Sequence, residues 1–179
     1  MLNISPPTKL KQLPILSFCA YASNSGKTTL LTQLIPVLIA RGLRVSIIKH
    51  AHHTFDIDYP AKDSYKLRDA GAVQTMIASN TRWALMTEHR NTVEPDLNTL
   101  LAQLDTGLAD LVLVEGFRHE AIPKIEVFRA SLGQPLLAQQ DSTIIAIASD
   151  SKLATHLPVL DLNDIEQIAD FVQNWLANA

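Results

Sequence analysis

The segment from Ser23 to Thr29 constrains the fold of this chain more than any other. It reads Ser-Asn-Ser-Gly-Lys-Thr-Thr and lies between a short apolar run, Ile15 to Ala20, and leucines at helical spacing that continue to Arg41-Gly42. A turn of this kind between a strand and a helix presents backbone N–H groups and the positive end of the helix dipole to an anion. The order strand, loop, helix therefore predicts a phosphate-binding loop.

The residue types in this loop suit a nucleoside triphosphate. Gly26 lets the main chain approach the phosphates, the Lys27 ammonium is expected on the β and γ phosphates, and the Thr28 hydroxyl is expected on Mg²⁺. Tyr21 stands where the pattern G-x-x-x-x-G-K-[ST] has its first glycine, so either this position avoids positive φ or the turn begins differently from the usual one. A Ser/Gly turn before a capped helix is the alternative. The residues expected to bind the nucleotide here are Ser23, Asn24, Ser25, Gly26, Lys27, Thr28 and Thr29.

An acidic partner for the magnesium ion is expected at the end of a second apolar strand. Leu111 to Val114 is apolar at every position and is followed by Glu115-Gly116. The carboxyl ends of parallel strands face the ligand crevice of an open α/β sheet. We therefore expect Thr28 and Glu115 to form the metal site and Glu115 to be a catalytic residue. A surface glutamate is the alternative.

Ionisable residues concentrate after the second predicted strand, Leu43 to Ile48, which we expect to neighbour the first. In one interpretation Lys49 binds a phosphate and Asp56 orients the attacking water as a catalytic residue. Lys62 and Asp58 are alternatives for these roles. The other interpretations are a solvated loop and a zinc site; the histidines concerned are His50, His52 and His53.

Asp150 is a candidate for recognition of the base. It follows an apolar strand, Ile144 to Ala148. A carboxylate at this place can accept from guanine N1–H and from the exocyclic amine, a pairing that adenine does not offer. Helix capping is the alternative role, and the sequence contains no Asn-Lys-x-Asp motif. We count Asp150 among the expected nucleotide-binding residues.

Periodicity in the rest of the chain completes the fold prediction. Asp63 is expected to cap a short helix that ends at Gly71, and Val73 to Ala78 with Trp83 to Thr87 are expected to form a hairpin. Asn163, with Glu166 three residues later, matches a capping box for a last helix. We predict an α/β fold of the P-loop NTPase-like type, with a mostly parallel sheet, flanking helices and an antiparallel hairpin extension. It forms one domain over residues 13–179, after a loose tail over residues 1–12.

Composition excludes several classes of function. The 179 residues are 47% hydrophobic, and 15 Lys and Arg against 18 Asp and Glu give a net charge of −3, so no basic field attracts nucleic acid or an anionic membrane. No apolar stretch approaches the roughly 20 residues needed to span a bilayer. Cys19 is the single cysteine. We expect a cytoplasmic protein that binds neither nucleic acid nor membranes.

Six motifs occur in order along the chain. They are Asn24 to Leu30, Ile48-Lys49-His50 with His52-His53, Lys62-Asp63-Ser64 with Arg68 and Ala70-Gly71-Ala72, Arg82 to Glu88, Val114 to Phe117, and Asp161 to Trp175. Together they resemble the molybdopterin-guanine dinucleotide biosynthesis adapter family, MobB. The resemblance covers nearly the whole chain, and the histidine-rich segment joined to Lys-Asp-Ser is its most specific part.

The resemblance implies a homodimer with a P-loop GTPase-like fold and with GTP and Mg²⁺ as cofactors. It places Lys27 and Thr28 on phosphate and magnesium and Glu115 at the Walker B position. It also implies association with the guanylyltransferase MobA, which joins GMP to molybdopterin, and at most weak GTP hydrolysis. Two alternatives stay open for molybdopterin, which is held either by this protein or only by its partner. Ala61 departs from the family, where glycine is frequent.

A P-loop transferase or ligase acting on a small-molecule acid is the alternative function, since related folds carry such chemistry. An enzyme of that class needs a substrate pocket beside the γ-phosphate, which the segment from His50 to Ser64 would have to build. The short chain argues against it. A metal-binding chaperone that uses the three histidines is a further alternative.

Overall fold

Six strands form one parallel sheet in the computed structural model, which describes residues 13–51, 55–89, 91 and 93–179. The strands of the chain are β1 (Ile15–Cys19), β2 (Val45–Lys49), β3 (Gln74–Ala78), β4 (Trp83–Thr87), β5 (Leu111–Glu115), β6 (Lys124–Phe128), β7 (Ile144–Ser149) and β8 (Val159–Asp161). The helices are α1 (Lys27–Ala40), α2 (Asp63–Asp69), α3 (Leu97–Leu101) and α4 (Ile165–Leu176). The sheet has the order β2-β5-β1-β6-β7-β8, and each pairing in it is parallel.

The sheet is covered by apolar side chains on both faces, which explains its uninterrupted apolar strands. On one face, α1 and α4 pack together over the sheet; the buried leucines of α1 are Leu30, Leu31, Leu34 and Leu38. On the other face, Leu97 of α3 packs with Val112 and Val114 of β5. The helix α1 runs through Pro36 without interruption. The predicted α/β class with a mostly parallel sheet is confirmed.

The predicted neighbour relation between β1 and β2 is wrong, because β5 lies between them. The crossover through α1 therefore skips one strand position, which is then filled by the strand that carries Glu115. As the edge strand, β2 is only partly buried, and the Ile47 side chain is 45% exposed.

The described residues divide into two compact units, one extending to His50 and resuming at Leu97–Ala179, the other being Ala51–Asp96. The second unit contains α2 and the antiparallel pair of β3 and β4, which confirms the predicted hairpin. Its register places Met76 opposite Leu85. Ala61 does not adopt positive φ, so the alanine brings no left-handed strain to the start of α2.

Two predicted helix caps are wrong by one residue, and one strand was not predicted. Lys62 occupies the N-cap position of α2 without a side-chain capping hydrogen bond, and Asp63, the first residue of the helix, pairs with Lys66 at 2.9 Å. Asp164 caps α4, because its carboxylate, and not the side-chain amide of Asn163, accepts from the Gln167 N–H. The strand β8 has three residues, too few to give a periodic signal. No helix in the described part of the chain has the length and apolar character needed to cross a membrane.

Candidate functional site

The loop between β1 and α1 has the conformation that close approach to an anion requires. Gly26 precedes α1 with φ +92°, and its carbonyl accepts from the Leu30 N–H at 2.9 Å. Asn24 is also left-handed, with φ +61°. Tyr21 does not adopt positive φ, as expected for a non-glycine residue at the first position of the motif. The loop therefore makes its left-handed turns later than the standard pattern.

Side chains of the loop fold back onto its own backbone. The Ser25 hydroxyl donates to the Ala22 carbonyl at 2.7 Å, and the Lys27 ammonium donates to the same oxygen at 3.3 Å. Ser25 is buried, whereas Ser23 and Asn24 are exposed. Burial lowers the pKa of the Lys27 ammonium, and the negative charge of Glu115 opposes this shift. Thr28 and Thr29, in the first turn of α1, are exposed.

Thr28, Lys49 and Glu115 form a closed network at the carboxyl edge of the sheet. The Thr28 hydroxyl donates to Oε1 of Glu115 at 2.7 Å. The Lys49 ammonium lies 2.9 and 3.0 Å from the two carboxylate oxygens of Glu115 and 2.9 Å from Oγ1 of Thr28. The Glu115 side chain is 9% exposed and that of Lys49 51%. The residues that the sequence assigned to metal and phosphate therefore lie in direct contact.

Strand pairing explains this meeting. Glu115 is opposite Phe18 of β1 on one side and opposite Lys49 of β2 on the other. Gly116 follows with φ +98°, and a Cβ at this glycine would lie 2.9 Å from Cβ of His50. Only glycine fits between the ends of β2 and β5 at this point. The His50 ring also packs against Phe117, with ring centroids 4.9 Å apart.

Asp150 lies at the end of β7, but its carboxylate is already engaged. One oxygen accepts from Nη1 of Arg129 at 3.2 Å, and the other accepts from the Ala130 N–H at 3.3 Å. Arg129 in turn donates from Nε to the Ser25 carbonyl at 3.3 Å. Arg129 was not predicted from the sequence, where its signal is an arginine directly after a buried strand. Arg118, at the other side of the loop, donates to the Tyr21 carbonyl at 3.0 Å.

Asp56 belongs to the second unit, where its carboxylate pairs with Arg68 at 2.6 Å. Arg68 also pairs with Glu88 at 3.0 Å and lies 4.9 Å from the Tyr65 ring centroid. These side chains line a cavity of about 450 Å³ within that unit. His52 and His53 lie outside the described residues. Within the described residues no three of the His, Cys, Asp and Glu side chains come close enough to hold a metal ion, so the zinc interpretation gains no support there.

The donor atoms of Thr28 and Glu115 fit Mg²⁺. Both supply oxygen, the ligand type that this ion takes, and Mg²⁺ in nucleotide sites keeps several waters and needs only one or two protein ligands. The contact of Lys49 with the same oxygens indicates that this position already stabilises a cation. When bound, the ion would neutralise charge on the β and γ phosphates.

A parallel sheet in which such a loop joins β1 to α1, with an acidic residue at the end of the adjacent strand, defines a P-loop NTPase-like protein. The family model described as "MobB: Molybdopterin guanine dinucleotide synthesis protein B" matches residues 15–150. The chain belongs to the MobB family, as its motifs predicted.

Individual relatives agree with this assignment. The chain is 52% identical over 165 residues to the molybdopterin-guanine dinucleotide biosynthesis adapter protein of Escherichia coli K12, covering 92% of this chain and 94% of that protein. The Haemophilus influenzae adapter protein is 48% identical over 165 residues, covering 92% and 90%. A crystal structure of a molybdopterin-guanine biosynthesis protein B matches with TM-score 0.70 and 30% identity, covering 91% of this chain and 99% of that one. Bacillus subtilis MobB matches with TM-score 0.70 and 25% identity, covering 90% and 97%.

Proposed function

We propose that this protein binds GTP with Mg²⁺ and acts as an adapter in the biosynthesis of molybdopterin guanine dinucleotide. The observation that carries the proposal is the contact between Thr28, in the first turn after the phosphate-binding loop, and Glu115 at the end of the adjacent strand. This pairing joins the hydroxyl and the carboxylate on which a P-loop protein relies for its metal ion. The relatives named as adapters supply the biosynthetic context.

In this proposal each part of the crevice has a separate task. The amides of residues 23 to 29 and the Lys27 ammonium bind the triphosphate, while Thr28 and Glu115 hold Mg²⁺. Lys49 binds a phosphate, and Asp150 contributes to the nucleotide site from the end of β7. Hydrolysis is at most weak, with Glu115 acting through the metal ion that it would hold and Asp56 as the candidate for orienting water. The Asp56 carboxylate is paired with Arg68 and would have to leave this partner to orient water, which is consistent with weak hydrolysis.

The adapter role implies protein contacts. We propose that the guanylyltransferase MobA is the partner, that the protein acts in the cytoplasm and that it is a homodimer. Exposed apolar side chains in the second unit support the homodimer, among them Met76 at 62% and Trp83 at 64% exposure. Molybdopterin is bound either directly or only by the partner, and both alternatives enter the test.

Calorimetric titration with GTP, with and without Mg²⁺, tests the nucleotide site. Lys27→Ala should abolish measurable binding, because it removes the ammonium nearest the loop, while the far-ultraviolet circular dichroism stays unchanged. Lys66→Ala is the matched control, since Lys66 is an exposed lysine in the second unit that pairs with the surface carboxylate of Asp63 at 2.9 Å. Equal GTP affinity in wild type and Lys27→Ala would refute the site.

Co-purification with the guanylyltransferase tests the adapter role. The tagged wild-type protein should retain the guanylyltransferase, and added GTP with Mg²⁺ should change the amount retained. Including or omitting molybdopterin separates direct from partner-only binding. Failure to retain the enzyme with and without GTP would contradict the adapter role and favour a P-loop transferase or ligase.

A further inference from the structure

Arg129 contacts the phosphate-binding loop, although it belongs to none of the motifs found in the sequence. It is the first residue after β6, which adjoins β1 on the side opposite β5. Its Nε lies 3.3 Å from the Ser25 carbonyl oxygen. A Cβ built on Gly26 would lie 3.3 Å from Nη2 and 3.4 Å from Nε of Arg129. The guanidinium therefore lies against the glycine backbone of the loop.

Asp150 holds this guanidinium from its far side. Its carboxylate contacts Nη1 of Arg129 at 3.2 Å, and the side chains of Arg129 and Asp150 are 34% and 25% exposed. The second carboxylate oxygen accepts from the Ala130 N–H, which fixes the carboxylate to the turn that carries Arg129. A planar guanidinium suits this arrangement, because it has several donors at fixed angles and can serve two acceptors at once. The ends of β1, β6 and β7 are thereby joined through two side chains.

The Ser25 carbonyl that accepts from Arg129 belongs to the same peptide group as the Gly26 N–H. In a trans peptide the C=O of one residue and the N–H of the next point in opposite directions within one plane. Fixing the Ser25 carbonyl on Arg129 therefore also fixes the direction of the Gly26 N–H. Glycine at φ +92° has wide backbone freedom, so without an external contact this peptide would sample other orientations. An anion site loses affinity when its amides must be ordered at the moment of binding.

We propose that Arg129 is a positioning residue for nucleotide binding, and that Asp150 acts through Arg129 and does not read the base. The proposal rests on the proposed nucleotide site and deepens it. The pair orders the Ser25–Gly26 peptide before the triphosphate arrives. Since the triphosphate is common to all nucleoside triphosphates, Arg129 and Asp150 contribute to the affinity for each of them by the same factor.

Nucleotide titrations distinguish positioning from base reading. Arg129→Gln and Asp150→Asn should each lower the binding affinity for GTP, ATP and inorganic triphosphate by the same factor. We expect a factor of about 3 to 10, the range for one charge-assisted hydrogen bond that is partly exposed. The affinity of the double variant should equal that of the single variant with the lower affinity, because both substitutions act on one contact. Arg129→Lys keeps the charge but lacks the planar fork, so it should not restore full affinity.

Arg44→Gln is the matched control, since Arg44 pairs with Asp110 at 2.7 Å without touching the loop, and it should leave all three affinities unchanged. Hydrogen exchange of the nucleotide-free protein adds a second measurement. The segment 22–27 should exchange faster in Arg129→Gln than in wild type or Arg44→Gln. A loss of GTP affinity in Asp150→Asn with ATP affinity intact would overturn the proposal in favour of base reading. Unchanged exchange and unchanged affinities in Arg129→Gln would also overturn it, whereas absent GTP binding in wild type would refute the nucleotide site itself.

Discussion

The Lys49 ammonium lies 2.9 Å from the Thr28 hydroxyl oxygen, which is an oxygen that a P-loop protein offers to its metal ion. The same ammonium contacts both carboxylate oxygens of Glu115, at 2.9 and 3.0 Å. A side chain of the protein thus neutralises Glu115 from the position where the magnesium ion is expected. A divalent cation can bind these oxygens only if Lys49 moves away from them.

Lys49→Gln should therefore increase the affinity for a divalent cation in the absence of nucleotide. We expect about a tenfold increase, since a competing positive charge is removed from a nearly buried carboxylate. The same variant should have a lower affinity for GTP in the presence of Mg²⁺, because Lys49 is proposed to bind a phosphate after it moves away from Glu115. Electron paramagnetic resonance of Mn²⁺ measures the affinity for a divalent cation without nucleotide, and calorimetry measures the affinity for GTP with Mg²⁺.

The control for this experiment is Lys66→Gln, which makes the same charge change beside the exposed Asp63. It should alter neither quantity. If Mn²⁺ binds wild type and Lys49→Gln equally without nucleotide, Lys49 does not compete with the metal ion.

Gly116→Ala should destabilise the fold by more than φ strain alone. The new Cβ would lie 2.9 Å from Cβ of His50, at a residue with φ +98°. We expect a loss of about 2–4 kcal/mol in the free energy of unfolding, combining left-handed strain with a backbone shift. Gly42→Ala is the control, with φ +88° and no atom within 4 Å of its Cβ. Its free energy of unfolding, measured by urea denaturation, should decrease less than that of Gly116→Ala. Equal decreases would show that the contact with His50 adds nothing to the left-handed strain.

The sequence was sufficient for the local parts of the site and insufficient for the contacts that strand order creates. The loop before Lys27 and the acid at Glu115 follow from strand, turn and helix signals within short segments. The position of β2 at the sheet edge depends on which strand the crossover skips, and no local pattern encodes that. Arg129 reaches Ser25 across more than 100 residues of sequence, so its role became visible only when β6 was placed beside β1.

Cys19 should be unreactive in the folded protein. Its thiol is 1% exposed, and burial, reinforced by the negative charge of Glu126, raises its pKa to about 12. The thiolate is the reactive form, so iodoacetamide should label Cys19 at pH 8 only after denaturant is added. Rapid labelling of the native protein would contradict this burial.

The same shift predicts how stability depends on pH. In the unfolded chain the thiol has a pKa near 9.0, whereas in the folded chain its pKa is about 12 and it stays protonated to higher pH. The folded state therefore binds more protons in this window, and its contribution, complete below pH 9, is lost as pH rises toward 12, by up to about 1.4 kcal/mol per pH unit. Cys19→Ala should be less sensitive to pH between 9 and 11 than wild type in urea denaturation. Identical pH slopes for both proteins would be the contrary result.

In the proposed homodimer, one face of the β3–β4 hairpin should form the contact between the two copies of this chain. Register places Met76 beside Leu85 and Ala78 beside Trp83, and all four side chains are exposed. An isolated two-stranded sheet is marginal in water, and a contiguous exposed apolar face of this kind is typical of an interaction surface. Trp83→Glu should therefore convert a dimer into a monomer in sedimentation experiments, because a charge would have to be buried in an apolar contact. Leu108→Glu is the control, an exposed leucine of the first unit at 68%, and should leave the dimer intact. A Trp83→Glu protein that sediments as a dimer would place the contact elsewhere.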